Sequence, residues 1–248
     1  MDLGTEMKIP LHFPFGKPST DAPKDHRQVA HTPITTGTSV IGIKFDKGVI
    51  LASDMLGSYG SLAKFRMIER LVEVNKQIVI GAGGDYADFQ FLRDIIKQKV
   101  TDESCLDDGF LLKPRSLHSW VTRFLYNRRN RFDPLWTNFV VAGMQDGEPF
   151  LGVVDKLGKA YESDCVGTGL GSHIAIPYMR NELEKKANLT EQEAREAVVK
   201  SLHSLFYRDA RAFDKYQLAT ITAEGVKIET GLTLETDWSM ADISCGTD

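Results

Sequence analysis

Thr38 follows Gly37 where the chain turns into an apolar, β-branched run, and this pair is where chemistry first suggests itself. Cleavage between the two residues would free an α-amine beside the threonine hydroxyl. An α-amine has a pKa of roughly 7.7 to 8.0, so near neutrality it can accept the hydroxyl proton during attack on a carbonyl. Threonine activated by its own amine is a known type of nucleophile. A plainer reading competes: Thr35, Thr36 and Thr38 are β-branched residues entering a strand. Taken alone, the pair favours the plainer reading.

Two glycine clusters raise the question of a phosphate-binding loop. Gly81-Ala82-Gly83-Gly84 and Gly167-Thr168-Gly169-Leu170-Gly171-Ser172 each follow a strand-like run and precede a helix-like one. Neither completes a motif. The first lacks the Gly-Lys-Ser/Thr of a P-loop, and the second has Ser172 where G-x-G-x-x-G needs its last glycine. Both read as tight turns in which glycine permits unusual dihedrals. Arg123, Arg128, Arg129 and Arg131, interleaved with Phe124, Tyr126 and Phe132, have the ingredients of a nucleic-acid patch. They equally suit a helix end, where cations meet the negative pole of the dipole, or a subunit contact. The six histidines show no metal-ligand spacing, and His203 reads as structural. No cofactor or metal site is expected.

Composition weighs between these readings. A formal net charge of −4, from 30 Lys and Arg against 34 Asp and Glu, supplies no broad basic field, so no nucleic-acid partner is expected. Cys105, Cys165 and Cys245 are odd in number and far apart, which fits a reducing compartment better than a disulfide framework. With 42% hydrophobic and 26% charged residues, the 248-residue chain can bury a sizeable core. No stretch approaches the ~20 apolar residues that span a bilayer, so no membrane partner is expected. Met1 to Lys17 mixes Asp2, Glu6 and Lys8 with prolines and lacks the basic start and apolar run of a secretory signal.

The elements that must position Thr38 follow from periodicity. Residues 1–34 carry Pro10, Pro14, Pro18, Pro23 and Pro33 without helical or strand period, and read as an irregular arm. Ser39 to Phe45 and Val49 to Ser53, joined at Asp46-Lys47-Gly48, form a hairpin. Leu71 to Val74 and Gln77 to Gly81 form a second pair, ended by Gly83-Gly84. After Asp85, the spacing of Tyr86, Phe89, Leu92, Ile96 and Val100 predicts one helical face. Another helix opens at Pro114 or Arg115, with Leu117, Trp120 or Val121, and Phe124 on its stripe, and packs with the first. Strand signals return at Asn138 to Gly143, Pro149 to Asp155 and Lys159 to Glu162, punctuated by Gln145-Asp146-Gly147 and Leu157-Gly158. A third helix opens near Ser172, and a fourth is marked by the capping box Thr190-Glu191-Gln192-Glu193. Gln217 to Thr222 and Val226 to Glu229 close the pattern as a last hairpin. Strands whose neighbours are mostly hairpin partners argue for antiparallel sheets, stacked and covered by helix pairs, in one domain.

The run from Gly37 to Asp54, Gly-Thr-Ser-Val-Ile-Gly-Ile-Lys-Phe-Asp-Lys-Gly-Val-Ile-Leu-Ala-Ser-Asp, resembles the opening of proteasome β-type subunits. Gly81 to Asp85 falls where that family has a Gly-rich strand-to-helix turn, Gly167-Thr168-Gly169 where it precedes a third helix, and Tyr207-Arg208-Asp209-Ala210 where the fourth ends. The resemblance covers nearly everything from Thr36 to about Leu234. It implies an α+β fold, the four-layer αββα sandwich of the N-terminal-nucleophile hydrolases, over residues 35–231. The stretches Met55 to Ser61, Arg128-Arg129, Pro134-Leu135-Trp136 and Tyr207 to Arg211 are most similar to the non-catalytic class at the seventh β position.

Set against the active members' pattern, the resemblance implies that Thr38 holds the nucleophile position, Asp54 and Asp209 the two carboxylates, and Gly84 the backbone amide that faces the oxyanion. The assisting lysine is replaced by Arg70, whose guanidinium stays protonated near neutral pH. Leu56 stands where an arginine is expected after the first carboxylate, and Ala212 where a serine is expected after Asp209. Members of such a constellation act as a unit, so these vestigial positions are expected to be inert. Trimming upstream of Gly37 would also leave the Thr38 nitrogen as an amide.

The implied role is a non-catalytic structural and assembly subunit of the 20S core particle, in ubiquitin-dependent and other proteasomal breakdown, in cytoplasm and nucleus. Implied partners are β-type subunits of the same and opposite ring and α-type subunits, in an obligate hetero-oligomer. Residues 232–248, with Trp238, Met240 and Ile243, have no helix partner in their own domain by sequence and are expected to reach a neighbour. Two alternatives stay open: a competent threonine endopeptidase using Thr38, discriminated by a mature chain that begins at Thr38, and a nucleotide-binding module, discriminated by nucleotide titration.

Overall fold

A computed structural model describes residues 33–109 and 111–239. The expected arm therefore lies outside the described residues apart from Pro33 and Ile34, as do the last residues of the tail, Met240 and Ile243 among them.

The chain crosses between two antiparallel sheets at its first opportunity. β1 (Thr35–Gly37) belongs to the large sheet, and after Thr38 and Ser39 the chain enters β2 (Val40–Phe45) of the small one. The small sheet continues with β3 (Gly48–Asp54), paired to β2 as the expected hairpin but across a two-residue turn at Asp46-Lys47, with Gly48 already in the strand opposite Phe45. β4 (Gly57–Tyr59), β5 (Leu62–Phe65), β6 (Leu71–Asn75) and β7 (Ile78–Asp85) return to the large sheet. Helices α1 (Tyr86–Ser104) and α2 (Pro114–Asn130) follow, then β8 (Thr137–Gln145), β9 (Glu148–Val154) and β10 (Ala160–Glu162) complete that sheet. β11 (Cys165–Gly167) rejoins the small sheet, α3 (Gly171–Lys185) and α4 (Glu191–Arg208) cover it, and β12 (Lys215–Thr222) and β13 (Gly225–Thr233) close it. One long edge of β7 is shared: β6 takes its first half, Ile78 to Gly81, and β1 its last two residues, Gly84 and Asp85.

The period of two in each strand sorts its residues into layers. Val40, Val49, Leu51, Ala219 and Ile221 of the small sheet meet Val79, Val140, Ala142, Leu151 and Val153 of the large sheet in a dry middle layer. Their neighbours Ile41, Ile43, Ile50 and Leu218 point outward to Ala175, Met179, Val198 and Leu202 of α3 and α4. On the other side Ile78, Ile80, Phe139 and Val141 share a cluster with Phe89, Leu92 and Ile96 of α1 and Leu117, Val121 and Leu125 of α2. Each such side chain contributes about 2 kcal/mol by leaving water, which is why the strands of the middle accept so few polar residues. The result is the expected four-layer αββα sandwich.

Local signals act as their chemistry requires. The Asp85 carboxylate caps α1, accepting from the amides of Ala87 (2.8 Å) and Asp88 (3.2 Å), and its other oxygen accepts from Ile34 N at 2.9 Å. Thr190 and Glu193 form the reciprocal capping box of α4. Asp146 and Gly147 both have positive φ, 54° and 87°, as a two-residue β8–β9 hairpin demands. Three expectations need correction. The buried stripe of α2 is Leu117, His118, Val121 and Leu125, whereas Trp120 and Phe124 are only partly buried and stack on each other. Gly81 and Gly83 lie inside β7 and not in a turn: a Cβ on Gly81 would come within 2.7 Å of Leu71, and one on Gly83 within 2.6 Å of the Thr38 carbonyl oxygen, so close approach explains them. The start of the C-terminal tail does have a partner in its own domain. Leu234 is buried, Trp238 packs edge-on against Tyr207 of α4 at 5.0 Å, and the Tyr207 hydroxyl accepts from Asp237 N at 2.8 Å.

Candidate active site

Arg70 is the most informative side chain near Thr38, because it is charged, only 1% exposed and satisfied at every donor. A guanidinium has five N–H groups. Here Nε donates to Ala82 O (3.2 Å), Nη1 to the Asp54 carbonyl (3.3 Å) and carboxylate, and Nη2 to the carbonyls of Thr38 (2.6 Å) and Ser39 (3.1 Å). The side chain thus ties the end of β3, the middle of β7 and the crossing between β1 and β2 to one point. Its backbone is held too, since Gln217 Oε1 on β12 accepts from Arg70 N at 2.8 Å and Leu71 N at 3.2 Å. Glycine at 37 makes room: a Cβ there would come within 2.8 Å of Arg70 Cζ.

Asp54 is the ionic partner. Its second oxygen accepts from Leu56 N at 3.3 Å. Burial pushes its pKa up to about 6, against the pull of Arg70, and the same burial lowers that of Arg70 while Asp54 raises it. Around neutral pH the pair is ionised on both sides.

Asp209 approaches from the other wall. It caps the C-terminus of α4, its Oδ1 accepts from Arg211 N at 2.9 Å, and its Oδ2 accepts the Thr38 hydroxyl proton in a hydrogen bond. Ala212 lies one turn on, its amide bonded to Asp209 O at 3.0 Å. Thr38, Asp54, Asp209 and Ala212, with Leu202, Leu205, Phe213 and Leu234, surround a gap of about 10 Å³. That is hardly one water molecule.

Gly84 stands beside the Gly37–Thr38 junction. It pairs with Gly37 in the β1–β7 ladder, has φ +95°, and would bring a Cβ within 3.1 Å of Thr137 Cα. β1 itself lies between β7 and β4, with Thr36 opposite Asp85 on one side and Ser58 on the other. The residues directly before Thr38 are thus paired on both edges.

Thr38 thus sits at the crossing between two stacked antiparallel sheets, each covered by a helix pair. A family model described as Proteasome subunit matches residues 34–221. The chain belongs to the proteasome subunit family. Among its relatives, "Proteasome subunit beta type-4" of Xenopus laevis is 49% identical over 220 residues, which is 88% of this chain and 91% of that one. The protein of the same name in Dictyostelium discoideum is 44% identical, covering 85% of this chain and 81% of its own. "Proteasome subunit beta type-7" of Saccharomyces cerevisiae is 39% identical, covering 82% and 77%.

For a proteasome subunit, the residues picked out by resemblance to the family's active members come together in space: Thr38, Asp54, Arg70, Asp209 and Ala212 within one cluster, with Gly84 across the ladder. Leu56 is buried and meets this cluster only through its amide. Three supporting residues escape sequence reasoning. Gln217 holds the Arg70 backbone; Thr168 Oγ1 accepts from Val40 N at 2.9 Å; and Ser39 Oγ accepts from Gly171 N at 2.8 Å, tying α3 to the crossing. Gln217 carries a signal, a polar residue amid Tyr216, Leu218 and Ala219 of a buried strand. Thr168 and Ser39 are too ordinary to stand out.

Proposed function

We propose that this proteasome subunit is a non-catalytic structural and assembly member of the 20S core particle, taking part in ubiquitin-dependent and other protein breakdown without cutting peptides itself. The observation that carries this reading is the saturated guanidinium of Arg70. Catalysis by Thr38 needs a group that gives and takes a proton, and Arg70 at that position stays protonated with all five donors engaged on main-chain carbonyls and Asp54. The gap beside Thr38, of only about 10 Å³, supports the same reading. Thr35 to Gly37 is laced into the large sheet on both edges, which supports trimming of the arm upstream of Gly37 and a Thr38 nitrogen that remains an amide.

The finer reading places the chain at the seventh β position of a ring, beside other β-type subunits, against α-type subunits on one side and a second β ring on the other, in cytoplasm and nucleus. Residues 35–231 form the ring-building domain, and the tail beyond Ser239 reaches a neighbour. Mass spectrometry of the subunit from purified particles reads the mature N-terminus, and cross-links from the tail identify that neighbour. A mature chain starting at Thr38 would favour the endopeptidase alternative.

The direct test is Thr38→Ala in the assembled particle. All peptidase activities are expected to stay at wild-type rates, and a threonine-directed electrophile is expected to leave this subunit unlabelled. Loss of one activity with assembly intact would overturn the reading.

A further inference from the structure

The C-terminal end of α2 displays an aromatic ring where a side chain is disfavoured. Arg131 caps the helix, and two hydrogen bonds close it beyond that point: Phe132 N to Arg129 O at 3.0 Å and Asp133 N to Arg128 O at 3.1 Å. This bond pair is the Schellman arrangement, whose first residue past the cap takes left-handed dihedrals and is usually glycine. Here that residue is Phe132, with φ +56°. A bulky L residue in this region is an outlier, and such strain persists where it serves something else.

The ring lies outside the core. Phe132 is 75% exposed, the most exposed of the large apolar residues among those described, and it belongs to none of the three core clusters. The same helix end carries two arginine–ring contacts. Arg128 lies over Phe91 of α1 at 5.8 Å and Arg129 over Tyr126 at 6.0 Å, both rings being about half exposed. Asp133 is already taken by Arg128 at 2.9 Å, while neither Arg129 nor Arg131 has a carboxylate partner among the described residues. Arg129 Nη1 donates to the neighbouring Asn130 Oδ1 at 3.1 Å, which leaves its charge unneutralised. Exposed rings beside such guanidinium groups are enriched in protein interfaces, and they call for an apolar socket rimmed by carboxylates.

We propose that Phe132 is an anchor for a neighbouring subunit of the particle, inserting into an acidic-rimmed apolar socket while Arg129 and Arg131 meet the rim. The partner is chosen by three features. Family membership makes the chain one subunit of an assembly. The three exposed rings and the arginines without a carboxylate partner among the described residues suit an apolar protein surface of negative charge. An acidic net charge of −4 argues against the alternative for such a surface, a nucleic acid. The proposal rests on assembly with other proteasome subunits and not on the state of Thr38.

The unusual backbone supplies the test, because glycine suits the left-handed position better than phenylalanine does. Tagged full-length Phe132→Gly is co-expressed with the untagged wild-type chain, and the ratio of the two is measured in the soluble pool and in purified assembled particles. The variant is expected to match wild type in the soluble pool and to be depleted in particles on the order of ten-fold. Phe132→Leu should recover most of the loss, and Arg129→Glu with Arg131→Glu should reproduce it. Equal incorporation of Phe132→Gly would overturn the proposal. So would loss of the soluble variant, which would mean that the ring is needed by the fold. Binding of a labelled single-stranded RNA that disappears in the double glutamate variant, with incorporation unchanged, would assign the surface to nucleic acid instead. Particle peptidase rates report separately on Thr38, so failure here leaves the non-catalytic reading standing, and the reverse.

Discussion

Replacing Arg70 with methionine keeps most of the stem and removes every donor, and the structure allows the cost to be worked out. Asp54 would be left buried with only the Leu56 amide at 3.3 Å, and the carbonyls of Thr38, Ser39 and Ala82 would lose the partner they share. Breaking a buried pair by removing one member costs about 3–5 kcal/mol, mostly because the remaining charge is uncompensated. The deficit should depend on pH in a defined sense. The folded pKa of Asp54 is about 6, above its ordinary value of 3.8, so between those limits the folded state binds more protons and stability rises as pH falls. Without Arg70 the folded value moves higher still. From pH 7 to pH 5 the variant then gains over about two pH units and the wild type over about one, at a little over 1 kcal/mol per unit. The deficit is expected to shrink by about 1 kcal/mol. Urea unfolding of the purified chain, followed through its tryptophans at both pH values, measures it. A deficit under 1 kcal/mol at pH 7, or one that widens on acidification, would refute the reasoning.

Two further outcomes follow from the packing. His118 is buried on α2, with Nε2 3.3 Å from Val153 O and its ring edge-on to Phe150 at 5.5 Å, and burial lowers its pKa below the ordinary 6.5. Its contribution to stability is therefore complete above pH 6.5 and lost as pH falls through and below that value, opposite in sign to Asp54. His118→Gln should remove this loss, so that the variant gains more stability than the wild type between pH 7 and pH 5, as thermal melts at each pH would show. Gly84→Ala places a Cβ at φ +95° and 3.1 Å from Thr137 Cα, and should destabilise the chain by about 3 kcal/mol or more. A wild-type melting temperature for that variant would contradict the close approach of β7 and β8.

What was legible in the sequence is what depends on neighbours along the chain. α1 announces itself because Asp85 caps it and Phe89, Leu92 and Ile96 recur at helical spacing, and the β8–β9 turn because Asp146-Gly147 is cheap at positive φ. β1, β4 and β11 have three residues each, too few for any period, and are strands only because distant partners offer them edges. The stripe of α2 was displaced for a related reason: a histidine reads as solvent-facing until the backbone of β9 approaches closely enough at Gly152 that a Cβ there would lie 2.8 Å from its Nε2. The site divides in the same way. The resemblance to proteasome β-type subunits was enough to name Thr38, Asp54, Arg70 and Asp209, and the chemistry of arginine was enough to expect no proton transfer. It could not show that the replacement has acquired a task. In space Arg70 joins the carbonyls on either side of the sheet crossing to Asp54, using Gly37 as clearance and Gln217 as an anchor, so lysine, with three donors on a flexible stem, could not hold the same five acceptors. Under the proposed function, the position that would hold a proton carrier holds a brace instead, so the proposal of an inert Thr38 rests on this geometry as well as on a comparison of motifs.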